Sequence, residues 1–558
     1  MQNNTLLACM AAAALAACNT APQPLARTAC EGLPAALGAW PNVRVTLAES
    51  LAPDDKGHPA HCRVQGRINE RVGVDGRAYA IGFEMRLPVA WNKRFLHQVN
   101  GGNDGVVQPA FGNLQVMTDD ALARGFAVIS SDAGHNGDDP ANAPAGLAKG
   151  NLFGLDPQAR RDYGYSATDA VYPVAQALIQ RHYAESPQRN YMAGCSNGGR
   201  HGFVAASRYA DRYDGILAGA PGFNLPKAAV QHAWDVQSWK MVDADIRKAF
   251  SPADMKLVAA KVVEKCDALD LLADGIVSDL KRCQAVFRLG DLQCSGAKTD
   301  ACLSATQVKA LERDFAGPTN SRGDKLYSDW AWDAGVGSGN WRFWKMESTV
   351  PPWDRNPIIA TMGAGSLAYI FTTPPTPAQG SPGALVDFLA GYDFDRDAPK
   401  IFATGGAFNE SAMGFMTPPD AADPQLADWR KRGGKLLVYH GVSDPVFSVN
   451  DTIAWADKLT RNAGGNAGGF MRLFPVPGMT HCAGGPATEQ FDGLGALIDW
   501  VEQGKAPDRI VARVNAKSPD LPAAWSKTRS RPLCPWPQVA RYAGGDTESA
   551  DSFRCIAP

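Results

Sequence analysis

The chain has 558 residues, of which 45% are hydrophobic and 20% charged, and a formal net charge of −2. That is room for more than one domain and a large core. No basic excess argues for nucleic acid, and no acidic run argues for a disordered tail.

In chain order, Leu6 to Ala17 is an apolar, alanine-rich stretch too short to cross a bilayer. It ends in Leu15-Ala16-Ala17-Cys18, the form of a bacterial lipobox in which Cys18 is lipidated after cleavage. An ordinary cleaved signal peptide is the competing reading, because no Lys or Arg precedes the apolar stretch. Both export the mature chain: to the periplasm, to the outer membrane as a lipoprotein, or to the medium. No other segment reads as a membrane span. Twelve cysteines less Cys9 and Cys18 leave ten. An even number in an exported chain reads as a disulfide framework, although sequence does not fix its connectivity. Sequence-adjacent pairing, the simplest scheme, joins Cys30–Cys62, Cys266–Cys283, Cys294–Cys302 and Cys534–Cys555, which leaves Cys195 and Cys482 for one another. The lack of any C-x-x-C argues against zinc.

From residue 78 to 222 strand-like and helix-like stretches alternate. Ile81, Phe83 and Met85 keep a strand's period of two. Phe126 to Ile129 is a short apolar run, and Ala167 to Tyr183 has helical spacing. Tyr191-Met192-Ala193 leads as a strand into a sharp turn and a helix, and Ile216 to Ala220 is another apolar run. This order predicts an α/β fold with a largely parallel sheet. From 223 to 422 the pattern is irregular and rich in Trp, Pro, Gly and Cys, with a helix predicted near 251–265. Alternation resumes with strands at Lys435–His440 and Met471–Val476 and a helix at Leu494–Glu502. The predicted organisation is a leader at 1–18, one α/β domain in two parts (19–222 and 423–558), and an inserted domain at 223–422.

The turn at 194–198 is Gly-Cys-Ser-Asn-Gly, a G-x-S-x-G nucleophile elbow in which glycines permit a tight strand-to-helix bend that lifts Ser196 clear of the sheet. An α/β-hydrolase carries its triad in the order Ser, acid, His. Asp444 follows the 435–440 strand and His481 follows the next, so both stand where acid and base belong. Each residue alone has a plainer reading, Asp444 as a turn residue between Ser443 and Pro445 and His481 as a loop histidine. His440 is the alternative base. If Ser196 and His481 meet, Cys195 and Cys482 are close enough to be joined. The oxyanion hole needs two backbone donors, the amide of Asn197 and one from the loop Asn100-Gly101-Gly102-Asn103-Asp104-Gly105, with Gly102 ahead of Gly101; a plain turn is the other reading of that loop. Asp267, Asp270 and Asp274 crowd one short segment. This is either a solvated acidic loop or a Ca²⁺ site completed by the carbonyls of Leu272 and Ile276. Tryptophans cluster at 330, 332, 341, 344 and 353, mostly core by expectation.

Together these residues resemble the tannase and feruloyl esterase family of α/β-hydrolases, and within it the branch of the mono(2-hydroxyethyl) terephthalate hydrolases. The carriers are G-C-S-N-G-G-R at 194–200, C-D-A-L-D-L-L-A-D-G-I-V at 266–277, Y-H-G-V-S-D at 439–444 and V-P-G-M-T-H-C-A-G-G at 476–485. The resemblance covers essentially the whole mature chain. It implies a serine carboxylic ester hydrolase with a lid domain, the triad Ser196, Asp444 and His481, the Gly102 and Asn197 oxyanion hole and the Cys195–Cys482 bridge. It implies a structural Ca²⁺ held by Asp267, Asp270, Leu272, Asp274 and Ile276. One departure is Leu271, where the family's loop reads Gly. The expected substrate is an ester of a small aromatic acid, of feruloyl or galloyl type, contacted by Phe447, Trp344 and Gly101. A mono(2-hydroxyethyl) terephthalate ester is the alternative. That branch holds its substrate's carboxylate with a lid arginine, and Arg355 is the only arginine between Pro351 and Ser366. A monomer is expected, with no nucleic-acid partner. The reading from another class is a calcium-binding surface protein with a vestigial hydrolase fold.

Overall fold

The structure is a computed structural model that describes residues 27–38 and 40–558. The leader and its lipobox at Cys18 lie outside the described residues. Nine strands form one sheet, in the order β1-β2-β3-β5-β4-β6-β7-β8-β9. They are β1 (Val43–Leu51), β2 (His61–Val72), β3 (Ala78–Pro88), β4 (Arg94–Gln98), β5 (Ala127–Ser131), β6 (Arg189–Cys195), β7 (Gly215–Gly219), β8 (Lys435–Gly441) and β9 (Met471–Val476). Pairings from β1 to β3 and from β3 to β5 are antiparallel; from β5 across to β9 every pairing is parallel.

The parallel half is buried on both faces, which is why its strands read as short continuous apolar runs. Side chains alternate between two cores. Leu96, Val128, Tyr191, Leu217 and Leu437 face one cluster; Phe95, Ile129, Met192, Ile216 and Leu436 face the other. Helix α1 (Ala167–Tyr183) covers the second face through Val171, Val174 and Leu178. Helix α2 (Asn197–Arg208) follows the elbow.

Between β7 and β8 the chain leaves the sheet for residues 220–434. Among the described residues this segment adds no strand to the sheet. It holds α3 (Leu225–Lys240), α4 (Pro252–Cys266) and α5 (Ala305–Ala316). Capping boxes start two of them, Ser251 with Asp254 and Ser304 with Gln307, satisfying N–H groups that have no helical partner. Two π-helical turns follow, Ile359–Gly363 and Ser366–Ile370. After β8 come α6 (Val449–Asn462) and α7 (Gly493–Gln503), the latter packing Leu494, Leu497 and Trp500 on the first face of the sheet.

Two features went unread in the sequence. The first is the antiparallel β1–β2 edge, where Arg63, Gln65 and Arg67 alternate with buried Cys62, Val64 and Ile68 and dilute the apolar signal. The second is a pair of small antiparallel ribbons at the C-terminus: β10 (Ile510–Arg513) with β11 (Ser530–Leu533), and β12 (Val539–Tyr542) with β13 (Phe553–Ile556). Four-residue strands carry too little periodicity to be seen. Cysteines pair as Cys30–Cys62, Cys195–Cys482, Cys266–Cys283, Cys294–Cys302 and Cys534–Cys555.

Candidate active site

Ser196 stands at the end of β6 with φ 67° and ψ −126°, a conformation that L-residues avoid and that marks a strained elbow. The flanking glycines are required by close approach. A Cβ at Gly194 or Gly198 would come within 2.4 Å of the Val99 carbonyl, and one at Gly199 within 2.2 Å of the Gly219 carbonyl.

The structure brings Ser196, His481 and Asp444 together. His481 Nε2 is 2.8 Å from Ser196 Oγ, and its Nδ1 is 2.8 Å from Asp444 Oδ2. Asp444 is 3% exposed, and its Oδ1 accepts the N–H groups of Val446 (2.8 Å) and Phe447 (3.1 Å). Burial works to raise its pKa, but His481 and a hydrogen bond from His440 hold it below the usual carboxylate range. His440, the alternative base, lies behind the acid, its ring between Thr452 Oγ1 and the Phe447 carbonyl, each 3.0 Å away. The Cys195–Cys482 bridge, with Cα atoms 6.0 Å apart, ties the neighbour of Ser196 to the neighbour of His481.

The backbone N–H groups of Gly102 and Asn197 have no acceptor among the described residues. Gly102 has φ 64°. Gly101 lies closer to the serine, since a Cβ there would sit 3.4 Å from Ser196 Cβ. The Asn197 side chain is fully engaged: Nδ2 donates to Asp104 Oδ2 (2.6 Å) and Oδ1 accepts from Arg200 Nε (2.6 Å). Arg200, wholly buried, also donates to the carbonyls of Tyr163 (2.9 Å), Gly164 (2.7 Å) and Met416 (3.2 Å). Tyr163 Oη donates to the Gly102 carbonyl at 3.2 Å. This polar support behind the two donors was missed in the sequence; Arg200, two residues past the elbow motif, was its one signal.

Asp333 was missed as well. It is buried in the inserted segment, and its Oδ2 accepts from Ser443 Oγ (2.8 Å) and from the Gly478 N–H (2.7 Å). One carboxylate thus fixes both the acid loop and the base loop.

A narrow cleft opens on Ser196. Gly102, Asn103 and Asn197 line one side; Trp344, Met362 and Phe371 of the inserted segment line the other, with Phe447 beside the acid. Trp344 and Phe447 stand edge-on to the His481 ring, centroids 4.9 and 5.4 Å away. Arg355 does not line this cleft. It is largely exposed and paired with Glu347. Trp330 and Trp341 are core, as expected of the cluster.

No residue of the 267–276 loop lines this cleft. Leu271 takes the left-handed conformation expected of glycine, φ 80°, with its side chain in water. Asp267 accepts the N–H groups of Asp274 (3.0 Å) and Gly275 (2.8 Å). Asp270 accepts the Leu272 N–H (3.2 Å), and burial with the like charges of Asp274 and Asp267 pushes its pKa up to about 7. Asp274 accepts the Ile276 N–H (3.0 Å) and is paired with Arg531 Nε (3.0 Å). The donors are the hard oxygens that suit calcium, yet among the described residues no three acidic, His or Cys side chains converge as a ready ligand group. No described helix is long and apolar enough to cross a membrane.

Comparison with known proteins agrees with this geometry. The family model described as tannase and feruloyl esterase matches residues 62–556. A mono(2-hydroxyethyl) terephthalate hydrolase of Piscinibacter sakaiensis is 41% identical over 581 aligned positions, covering 96% of this chain and 93% of the relative. An uncharacterized esterase of Xanthomonas campestris is 33% identical, covering 89% of this chain and 84% of the relative. The crystal structure of feruloyl esterase B from Aspergillus oryzae superposes with a TM-score of 0.72 at 22% identity, over 94% of this chain and 99% of that one, which speaks to the fold alone. With the family model spanning nearly the whole described chain, the protein belongs to the tannase and feruloyl esterase family and is a carboxylic ester hydrolase.

Proposed function

We propose that the protein is an exported serine esterase that cleaves esters of small aromatic acids, of feruloyl or galloyl type, through an acyl-enzyme. The observation that carries this reading is the unbroken chain Ser196–His481–Asp444 at a cleft walled by Trp344 and Phe447. His481 Nε2 takes the Ser196 proton as Oγ adds to the ester carbonyl. The negative oxygen of the tetrahedral intermediate is received by the N–H groups of Asn197 and Gly102. Collapse breaks the ester bond, and His481 returns the proton to the leaving alcohol. Water then adds to the acyl-enzyme with His481 again as base, releasing the acid and restoring Ser196. Asp444 remains ionised throughout, holds the Nδ1–H tautomer and offsets the imidazolium charge.

Residues 223–422 act as a lid domain over a cleft complete within one chain, in keeping with a monomer. Export rests on the apolar leader and five disulfides, with a lipid anchor at Cys18 or simple leader cleavage as its two forms. A structural Ca²⁺ held by Asp267, Asp270 and Asp274 with the Leu272 and Ile276 carbonyls belongs to the same proposal. The hard donor set and the crowding of buried carboxylates support it.

The relative at 41% identity favours a second reading, hydrolysis of mono(2-hydroxyethyl) terephthalate. That substrate carries a free carboxylate, and among the described residues no Lys or Arg lines the cleft. Neutral aromatic esters therefore come first. The test is kcat/KM for methyl ferulate, methyl gallate and mono(2-hydroxyethyl) terephthalate, alongside labelling by a serine-reactive phosphonate. A preference for the terephthalate ester would reverse the order; failure to label Ser196 would refute the serine mechanism.

A further inference from the structure

His232 on α3 lines the cleft together with Ser196, and no described hydrogen bond explains its polarity. It is 9% exposed, and its Nδ1 is enclosed without a hydrogen-bond partner, 3.9 Å from Asp235 Oδ2. Asp235 is itself wholly buried and pinned: Lys345 Nζ is 2.8 Å from Oδ1 and Gln231 Nε2 is 2.7 Å from the same oxygen. Nε2 has no hydrogen-bond partner and is not among the enclosed atoms; it lies beside Gly363, which lines the cleft with His232. Gly363 packs directly on the ring's Cδ2–Nε2 edge, where an added Cβ would lie 2.4 Å from Cδ2 and 3.0 Å from Nε2. The imidazole is therefore held in place.

The other polar groups of the cleft wall are either bonded or, as with Asn103 Nδ2 and Trp344 Nε1, are donors that offer no acceptor. Ser366 Oγ is bonded to Asn103, Met362 and Asn151, and the Asn197 side chain is bonded to Asp104 and Arg200. Among the lining residues His232 is the one titratable side chain. Burial lowers its pKa, which keeps the ring neutral near pH 7. The Asp235 carboxylate favours the proton on Nδ1, leaving an unpartnered lone pair on Nε2.

We propose that His232 Nε2 is a specificity site that accepts a hydrogen bond from a hydroxyl group on the aromatic acyl part of the substrate, selecting hydroxylated over alkoxylated or bare rings. This deepens the aromatic-ester reading and rests on it. A ring hydroxyl would satisfy the Nε2 lone pair; a methoxyl in its place has no proton to give and leaves a buried acceptor unmet. Gln231, Asp235, Lys345 and Asp314 lie behind the imidazole, so no formal charge competes with this contact from the cleft side.

The test compares kcat/KM for methyl 4-hydroxycinnamate and methyl 4-methoxycinnamate in wild type, His232→Leu and His232→Gln, with p-nitrophenyl acetate hydrolysis reporting an intact nucleophile and fold. Wild type should prefer the hydroxy ester. His232→Leu should shrink that preference about tenfold, and His232→Gln, whose amide oxygen still accepts, should recover part of it. Where His232→Leu does not fold, His232→Asn, too short to reach, takes its place. Wild type that hydrolyses both cinnamates equally, or a preference untouched in the variants, overturns this assignment alone. Wild type that hydrolyses p-nitrophenyl acetate and neither cinnamate overturns the aromatic-acyl reading and this assignment with it.

Discussion

Asp444 is a fully buried carboxylate that stays ionised because two histidines and two backbone N–H groups surround it. In the proposed mechanism its part is to fix a tautomer, so the isosteric Asp444→Asn should keep the fold and lose kcat by about 10⁴-fold, the scale of a wrong imidazole tautomer. Stopped assays on any accepted ester measure this, and a drop under tenfold would remove Asp444 from the triad. Ser196→Ala should abolish turnover while the melting temperature holds or rises, because alanine keeps the backbone and loses only the hydroxyl. Much of this was legible in the sequence: glycines around Ser196, strands ahead of Asp444 and His481, and the chain order left few alternatives. Asp104, Arg200, Asp333 and His232 were not legible. Their roles exist only once loops 93, 110 and more residues apart in sequence meet, as Asp104 with Asn197 or Ser443 with Asp333 do. A lone Asp or His carries no periodic or spacing signal of such a meeting.

At the scale of elements, two long-range ties hold the site. The Cys195–Cys482 bridge closes 287 residues. Chain entropy assigns such a ring about 5 kcal/mol, an upper figure because other disulfides already constrain part of the loop. Cys195→Ser with Cys482→Ser should lower the melting temperature and, by freeing the His481 loop, lower kcat more than KM. Unchanged kcat in the folded double variant would mean that Asp333 and Asp444 position the base without the bridge. The second tie is the α3 helix to the Gly339–Lys345 helix, through Lys345 and Asp235, with side chains 1% and 0% exposed. Burial would raise Asp235, but Lys345 holds it low; Lys345 also stacks on the Trp330 ring, 4.2 Å from its centroid. Lys345→Met leaves one buried carboxylate without its partner and should cost about 3–5 kcal/mol in stability. Denaturant titration reads this directly. The sequence pattern predicted α1, α4, β8, β9 and α7 nearly to the residue, since these bury one clear stripe or a continuous run. The π-helical turns at 359–370 and the four-residue ribbons near the C-terminus have neither.

Across the whole molecule, the 267–276 loop is where the inserted segment meets the C-terminal ribbons. Arg531 of β11 pairs with Asp274, and Arg529 NH1 donates to the Asp274 carbonyl at 2.8 Å. Three carboxylates and one intimate guanidinium leave a local excess of negative charge, and burial raises Asp267 and Asp270 together. A bound divalent cation would offset what Arg531 does not. Calcium bound to the native state alone, at a hundredfold excess over its Kd, stabilises by about 2.7 kcal/mol. Chelation should therefore lower the melting temperature by a few degrees, and Asp270→Ala should reproduce that loss and become insensitive to the chelator. Arg531 makes the prediction sharper. In Arg531→Met the three carboxylates lose the one cation that pairs with them among the described residues, so the metal-free variant is penalised most and the thermal shift on adding calcium should be larger than in wild type. Scanning calorimetry of both proteins with and without chelator measures the difference. Equal shifts would mean that the ion binds elsewhere. No shift in either protein, with no calcium by elemental analysis, would leave the loop as an acidic turn held by Arg531 and its own backbone N–H groups.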